Sequence, residues 1–172
     1  MFGRGIDKSK GLLFCTHDLG QSLRSTTDKI RREVESFPPD RFLNTAPYDL
    51  RNYLAAKYRV EPIGLLRDQW YADHHETQVD VRYDSNRWID DKSRPFMVPG
   101  ERVEVRVPFE GDAELFYAQP NTSTSNPPRA LIEKNELVLR YDSPADAPRD
   151  VRPMIDRALA DIEQYLGWQR SM

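Results

Sequence analysis

Apolar and polar residues alternate most clearly along residues 98–109. The apolar members are Val103, Val105, Val107 and Phe109, and the residues between them are Glu104, Arg106 and Pro108. A period of two with one apolar face is typical of a half-buried β-strand. The pattern therefore predicts a strand over 102–109 whose charged face is open to solvent, to a helix or to a partner.

Further apolar or alternating runs predict four more strands, at 62–67, 77–84, 130–133 and 137–141. The last two flank a short polar turn and predict a β-hairpin, with Asn135 in the left-handed position. The segment 68–77 either joins two strands or extends one of them. Irregular loops are predicted at 86–97 and at 119–129, since Pro127-Pro128 cannot lie in a central strand.

Helical spacing of apolar residues predicts helices at 18–36, 47–59 and 149–170. Asp18 is placed to cap the first helix or to lie in its first turn. The second helix has an apolar stripe that predicts packing on a sheet edge, formed by Leu50, Tyr53, Leu54 and Tyr58. The last helix has a heptad-like seam, formed by Ile155, Leu159, Ile162 and Leu166.

These elements predict an α+β fold: an antiparallel β-sheet or small sandwich with an N-terminal helix pair and a long C-terminal helix. Three regions are expected: a flexible N-terminus (1–16), an α+β domain (17–148) and a C-terminal connector or oligomerisation helix (149–172). Helical periodicity continues almost to the last residue. We therefore expect the chain to be a fragment whose last helix continues into another domain.

Composition narrows the function classes. The chain has 172 residues and a formal net charge of −3, from 25 basic and 28 acidic residues. This balance gives no global attraction to nucleic acid or to anionic lipid. The single cysteine, Cys15, excludes an intrachain disulfide and favours a reducing, cytoplasmic setting, where we expect it to be a buried structural residue. No apolar run is long enough for a membrane span, and no cofactor is predicted.

The strongest candidate for chemistry is the run Asp73-His74-His75-Glu76, with carboxylates nearby. Imidazole and carboxylate groups can ligate zinc, iron or manganese. On a strand His74 and Glu76 would share one face, so a further ligand would have to come from elsewhere. A solvated polar segment is the simpler interpretation. The metal candidates are His74, His75, Glu76 and Asp80, and the alternative function that they support is a metal-dependent hydrolase or nuclease.

No catalytic residue is predicted. The chain lacks the GxSxG, Walker and dinucleotide-binding motifs. Cys15 and His17 are sequence neighbours, an arrangement that rarely gives a nucleophilic dyad. Glu104 and Arg106 resemble a nuclease acid-x-lysine element, but arginine replaces lysine and a paired aspartate is missing. The sequence therefore favours a non-enzymatic protein.

Two further residue sets suggest binding. Basic residues on the first helix make a nucleic-acid-binding domain the second alternative, although an ordinary mixed helix surface is simpler; they are Arg24, Lys29, Arg31 and Arg32. Large aromatic residues in loop-like or terminal segments are candidates for a protein interface or for a minor core. The interaction candidates are Trp70, Trp88, Phe96 and Trp168.

The sequence of residues 98–116, with Gln119-Pro120 and Asn126–Arg129, resembles the N-terminal region of certain uncharacterised bacterial multidomain proteins. The resemblance covers about residues 40–166. It implies a β-rich module that leads through a charged helix to an effector-like domain, in some cases near antiviral defence genes, and it implies no active-site residues. The function expected is a non-catalytic recognition, regulatory or assembly module of a larger bacterial protein. Its partner would be another protein, or a second copy bound through the C-terminal helix.

Overall fold

The structure is a computed structural model that describes residues 11–172; what was expected of residues 1–10 lies outside these residues. The helices are α1 (Leu19–Glu35), α2 (Pro39–Asn44), α3 (Pro47–Tyr58) and α4 (Arg152–Arg170). The strands are β1 (His17–Asp18), β2 (Gly64–Leu65), β3 (Tyr71–Asp80), β4 (Met97–Glu110), β5 (Ala118–Gln119), β6 (Leu131–Glu133) and β7 (Glu136–Pro144). Single 3-10 turns lie at Arg67–Gln69 and Ala113–Tyr117.

The strand β4 is the centre of an antiparallel sheet, as its alternating sequence predicts. It pairs with β7 along one edge and with β2 and then β3 along the other, and β6 pairs with β7. Val105 lies opposite Leu139 on one side and Ala72 on the other, so these side chains share one face. The α+β fold class is confirmed. The short strands β1 and β5 form a separate parallel pair.

The apolar face of this sheet is covered by α4. The predicted seam of α4 is buried, and with the inward residues of β4 and β7 it forms a single core cluster. The seam residues are Ile155, Leu159, Ile162 and Leu166. The helix begins at Arg152 rather than at 149, with proline in its first turn. Because α4 contributes to this core, a boundary at 149 would divide one hydrophobic core, and any partner of α4 would have to contact its outer face.

The segment before β1 is part of the core within residues 11–16, so the flexible N-terminus expected over 1–16 does not include Leu13 and Phe14, and residues 1–10 lie outside the described residues. Leu13 and Phe14 are each 1% exposed. Successive residues of an extended strand point to opposite faces, but Phe14 has a φ of 54°, which turns both side chains inward. Cys15 is exposed, so the expectation of a buried cysteine was wrong.

The boundaries of several predicted elements change. Residues 71–77 extend a strand, one of the two predicted outcomes, and the strand predicted at 62–67 shortens to two residues. The hairpin joins β6 to β7 as predicted, but Lys134 rather than Asn135 has the positive φ, at 55°. At the end of β4, Gly111 has a φ of 97°, and a Cβ there would lie 2.4 Å from the carbonyl oxygen of Pro62.

The helices α1, α2 and α3 form an arm, defined here as residues 19–58. Among the arm residues whose burial the structure describes, only Leu19 and Gly20, at the base of α1, are buried, and α3 buries no residue. The prediction that Tyr53 and Tyr58 belong to a buried stripe on a sheet edge was therefore wrong, because α3 packs on α1 instead. The helix α2 forms where the sequence indicated a connector. Asp18 caps α1 as predicted, since its Oδ1 accepts the Gln21 N–H at 2.6 Å.

Candidate functional site

The histidine-rich run lies on β3, at the edge of the sheet. His74 and Glu76 share one face, as predicted, and His75 lies on the other, opposite Arg102. His74 Nδ1 is 2.6 Å from Glu101 Oε1, so the first histidine already has a carboxylate partner. The two histidines therefore point away from each other.

The fourth metal candidate, Asp80, closes the loop between β3 and β4. Its Oδ1 accepts the N–H groups of Arg82 and Phe96, each at 3.1 Å, and its other oxygen pairs with the Arg82 guanidinium. Within residues 11–172 no three His, Cys, Asp or Glu side chains are grouped so as to hold a metal ion. An enzyme built on these four residues stays a prediction from the sequence.

The predicted aromatic interaction set divides in two. Trp70 and Trp168 are half-buried against the core, and the Arg152 guanidinium lies 5.0 Å from the Trp70 ring centroid. Trp88 and Phe96 are exposed, Trp88 to 93%. The first two therefore pack against the core, and the second two are the more exposed candidates for a partner contact.

The basic residues of α1 are exposed, as a nucleic-acid surface would require. They are Arg24, Lys29, Arg31 and Arg32. On the neighbouring helix α3, Lys57 turns toward Glu33 of α1. Arg31 also pairs with Asp28 at 3.6 Å. The arrangement is that of a mixed helix surface, and the nucleic-acid interpretation stays a prediction.

A single carboxylate joins the two long helices of the arm. Glu33 of α1 accepts hydrogen bonds from the Lys57 ammonium at 2.6 Å, from the Tyr53 hydroxyl at 3.0 Å and from the Tyr58 hydroxyl, all on α3. The bond from Lys57, followed by that from Tyr58, lowers the pKa of Glu33 from its ordinary 4.5 to about 2. Glu33 therefore links α1 to α3 through three hydrogen bonds.

This pKa predicts that the contact between α1 and α3 weakens in acid. A carboxylate with a lowered pKa stabilises the folded form fully above its ordinary pKa, and the contribution is lost as the pH falls through the folded value, here between 4.5 and about 2. We expect the NMR signals of Tyr53 and Tyr58 to move across this interval. In Glu33→Gln they should already be displaced at neutral pH, and in the control Glu35→Gln they should titrate as in the parent. Unchanged signals in Glu33→Gln would contradict this role.

The distal half of the arm exposes apolar side chains. The exposed residues are Phe42 and Leu43 of α2, and Tyr48 and Tyr53 of α3. Leu43 is 80% exposed and Tyr48 64%. A cleft of ≈ 220 Å³ opens between α2 and α3 beside them. The helices α2 and α3 form one layer, which covers only one side of each helix. The four side chains therefore form an exposed apolar surface, called here the arm tip, in which Tyr53 also donates to Glu33.

The charged face of β4 is filled by ion pairs, not open as the alternation suggested. Glu104 is 8% exposed, and its carboxylate accepts hydrogen bonds from Arg106 and, at 2.7 Å, from Arg140 on β7. Arg106 also donates to Glu133 and Glu136, at 3.1 and 3.2 Å. These charges satisfy one another, so the face has the character of a structural layer.

Sequence reasoning missed the arm tip. The signal was present in the adjacent apolar pair Phe42-Leu43, within a segment read as a connector, followed by Tyr48 just after Pro47. Adjacent apolar residues on a short helix cannot both face one neighbour. Glu33 carried no such signal, because its partners lie 20–25 residues away.

Comparison of the chain with protein-family models, with curated proteins and with solved structures gave no match. Within the described range no helix has the length and apolar character needed to cross a membrane.

Proposed function

We propose that the protein is a non-catalytic assembly module whose arm tip binds the arm tip of a second copy. The observation that carries the proposal is the exposure of Phe42, Leu43, Tyr48 and Tyr53 on one end of a two-helix layer. Burying apolar surface contributes about 25 cal/mol per Å², so a surface of this kind favours association.

A second arm is a suitable occupant because it presents the same exposed apolar side chains. The distal half of α1 carries Lys29, Arg31 and Arg32 beside Asp28, Glu33 and Glu35, and Asp40 and Asp49 lie in the first turns of α2 and α3. Antiparallel packing of two arms about a two-fold axis would bring Lys29 and Arg32 toward the acidic helix starts of the other copy. The two apolar tips would then be buried together in a layer of four helices, α2 and α3 of each copy.

The wider context rests on the sequence resemblance alone. In a larger bacterial protein with an effector-like domain, an assembling arm would bring copies of that domain together. A role in antiviral defence would follow from the same resemblance.

Sedimentation velocity over about 1 to 100 µM, a range in which weak interfaces dissociate, tests the self-association. We expect a monomer–dimer equilibrium that the double variant Leu43→Asp/Tyr48→Asp abolishes, because charge would be placed in the buried patch. The control Trp88→Asp changes a still more exposed aromatic residue in a loop and should leave the equilibrium unchanged.

Two results would overturn the proposal: a parent protein that stays monomeric throughout, or a dimer that survives the double variant. Both changes are at exposed positions, so the folded core should keep its melting temperature. If the protein stays monomeric and its arm tip binds a different protein, the partner of the arm tip is that protein and not a second copy.

A further inference from the structure

The strand β7 has an open outer edge. It has nine residues, but β6 pairs only with its start, ending at the Leu131–Val138 pair. No strand in the part of the chain that the structure describes pairs with that edge beyond Val138. The cause is Pro127-Pro128, which leads the chain toward the N-terminal segment, where the Leu13 N–H donates to the Pro128 carbonyl at 3.0 Å.

Backbone groups along this edge are directed outward. In an antiparallel strand the N–H and C=O of alternate residues point to the same edge. Glu136 faces Glu133 across the two-residue turn, and Val138 faces Leu131. By the same alternation the N–H and C=O groups of Arg140 point outward, toward the position that a longer β6 would have occupied. Such a row is a template for an added strand.

A groove of ≈ 440 Å³ lies beside this edge, between β7, α4 and the loop at 126–129. Its apolar lining includes Tyr141, Met154 and Ala158, and the Tyr141 hydroxyl donates to the Met154 carbonyl at 3.3 Å. An extended segment placed on β7 would direct alternate side chains onto this lining.

The charge of the groove favours an acidic occupant. Arg129 and Arg157 line it, and neither forms an ion pair with any described residue. Arg140 is already bound to carboxylates of the sheet, and Asp161 is the one acid among the described residues of the lining. Unpaired guanidinium groups are well suited to carboxylates, which they can bind through two parallel hydrogen bonds.

We propose that this groove, called here the β7 groove, binds an extended acidic peptide segment of a partner protein as an additional strand. Main-chain hydrogen bonds to Arg140 would fix the segment. An apolar side chain would contact Tyr141 and Met154, and acidic side chains two residues to either side would reach Arg129 and Arg157. A second copy is disfavoured at this edge, because two-fold pairing would bring the same arginines together.

The probe is the fluorescein-labelled peptide Ser-Glu-Thr-Leu-Thr-Glu-Ser, with Ser-Lys-Thr-Leu-Thr-Lys-Ser as its charge-reversed counterpart. We expect saturable binding of the acidic peptide only, measured by fluorescence anisotropy. Arg129→Glu and Arg157→Glu should each raise its Kd by about tenfold or more, since each replaces an attractive charge with a repulsive one. Arg94→Glu, at an exposed arginine in the loop between β3 and β4, should leave the Kd unchanged.

A second readout tests the strand pairing itself. On adding the acidic peptide, the backbone amide signal of Arg140 should shift, and those of the arm should not. The inference is overturned if the acidic peptide does not bind, if both peptides bind equally, or if the Arg140 amide is unmoved. It is also overturned if a β7-edge dimer forms that Arg157→Glu abolishes. None of these results bears on the arm tip, whose test uses other residues and another measurement.

Discussion

Replacing Ile162 with alanine is expected to lower the free energy of unfolding by about 2–5 kcal/mol, the usual cost of such a deletion in a buried core. Ile162 lies in the middle of α4 and is 0% exposed. It belongs to the same apolar cluster as Val105 and Leu139 of the sheet. Removing its outer carbons would leave a cavity that a well-packed core can only partly close.

Urea denaturation of the parent and of Ile162→Ala measures this loss. Gln164→Ala is the matched control, because it changes an exposed residue of the same helix and should shift the free energy of unfolding by less than about 0.5 kcal/mol. If both variants matched the parent, α4 would be a detachable helix, as a connector would be, and the core described here would be wrong.

The sequence predicts the sheet well where one face of a strand is apolar. Alternation along β4 and β7 identifies the inward residues, because a slip of one residue would move all of them to the solvent face. The same logic locates the seam of α4. What the seam packs against does not follow from its spacing, since a heptad-like row suits a sheet as well as a second helix. Ile162 is therefore predictable as buried, but not as part of the sheet's core.

Two residues with a positive φ could not be predicted from the pattern of apolar and polar residues. Phe14 enters the core through a positive φ, a conformation that is rare for a residue with a Cβ and has no sequence signature here. Lys134 takes the left-handed position in the hairpin although Asn135 is the better candidate by propensity. In both cases the surrounding contacts, and not the residue type, determine the backbone conformation.

The candidate sites were predictable only in part. The histidine run was visible in the sequence, but strand geometry divides His74 from His75. The arm tip and the β7 groove can be recognised because no described element packs over them. That is visible in the folded structure but not in the sequence. Only Pro127-Pro128 gave an early indication, since two prolines cannot continue a paired strand, and this is the feature that leaves β7 open.

Replacing Glu104 with glutamine is expected to lower the free energy of unfolding by about 1–3 kcal/mol, because Arg106 and Arg140 would lose the charge that compensates their own desolvation. Burial alone would raise the pKa of Glu104, but hydrogen bonds from Arg140 and Arg106 outweigh it and hold the pKa below its ordinary 4.5. The stabilisation is therefore present above pH 4.5 and is lost as the pH falls below that value.

Denaturation of Glu104→Gln at neutral and at acid pH tests both the size of this loss in the free energy of unfolding and the direction in which it changes with pH. The deficit relative to the parent should shrink in acid, where the parent carboxylate also becomes neutral. Asp142→Asn is the control on the same face, because its pair with Arg102 is about one-third exposed on each side and should contribute less than about 1 kcal/mol. Equal losses in the two variants would mean that the ion pairs around Glu104 behave as a solvated surface and not as a buried layer of the sheet.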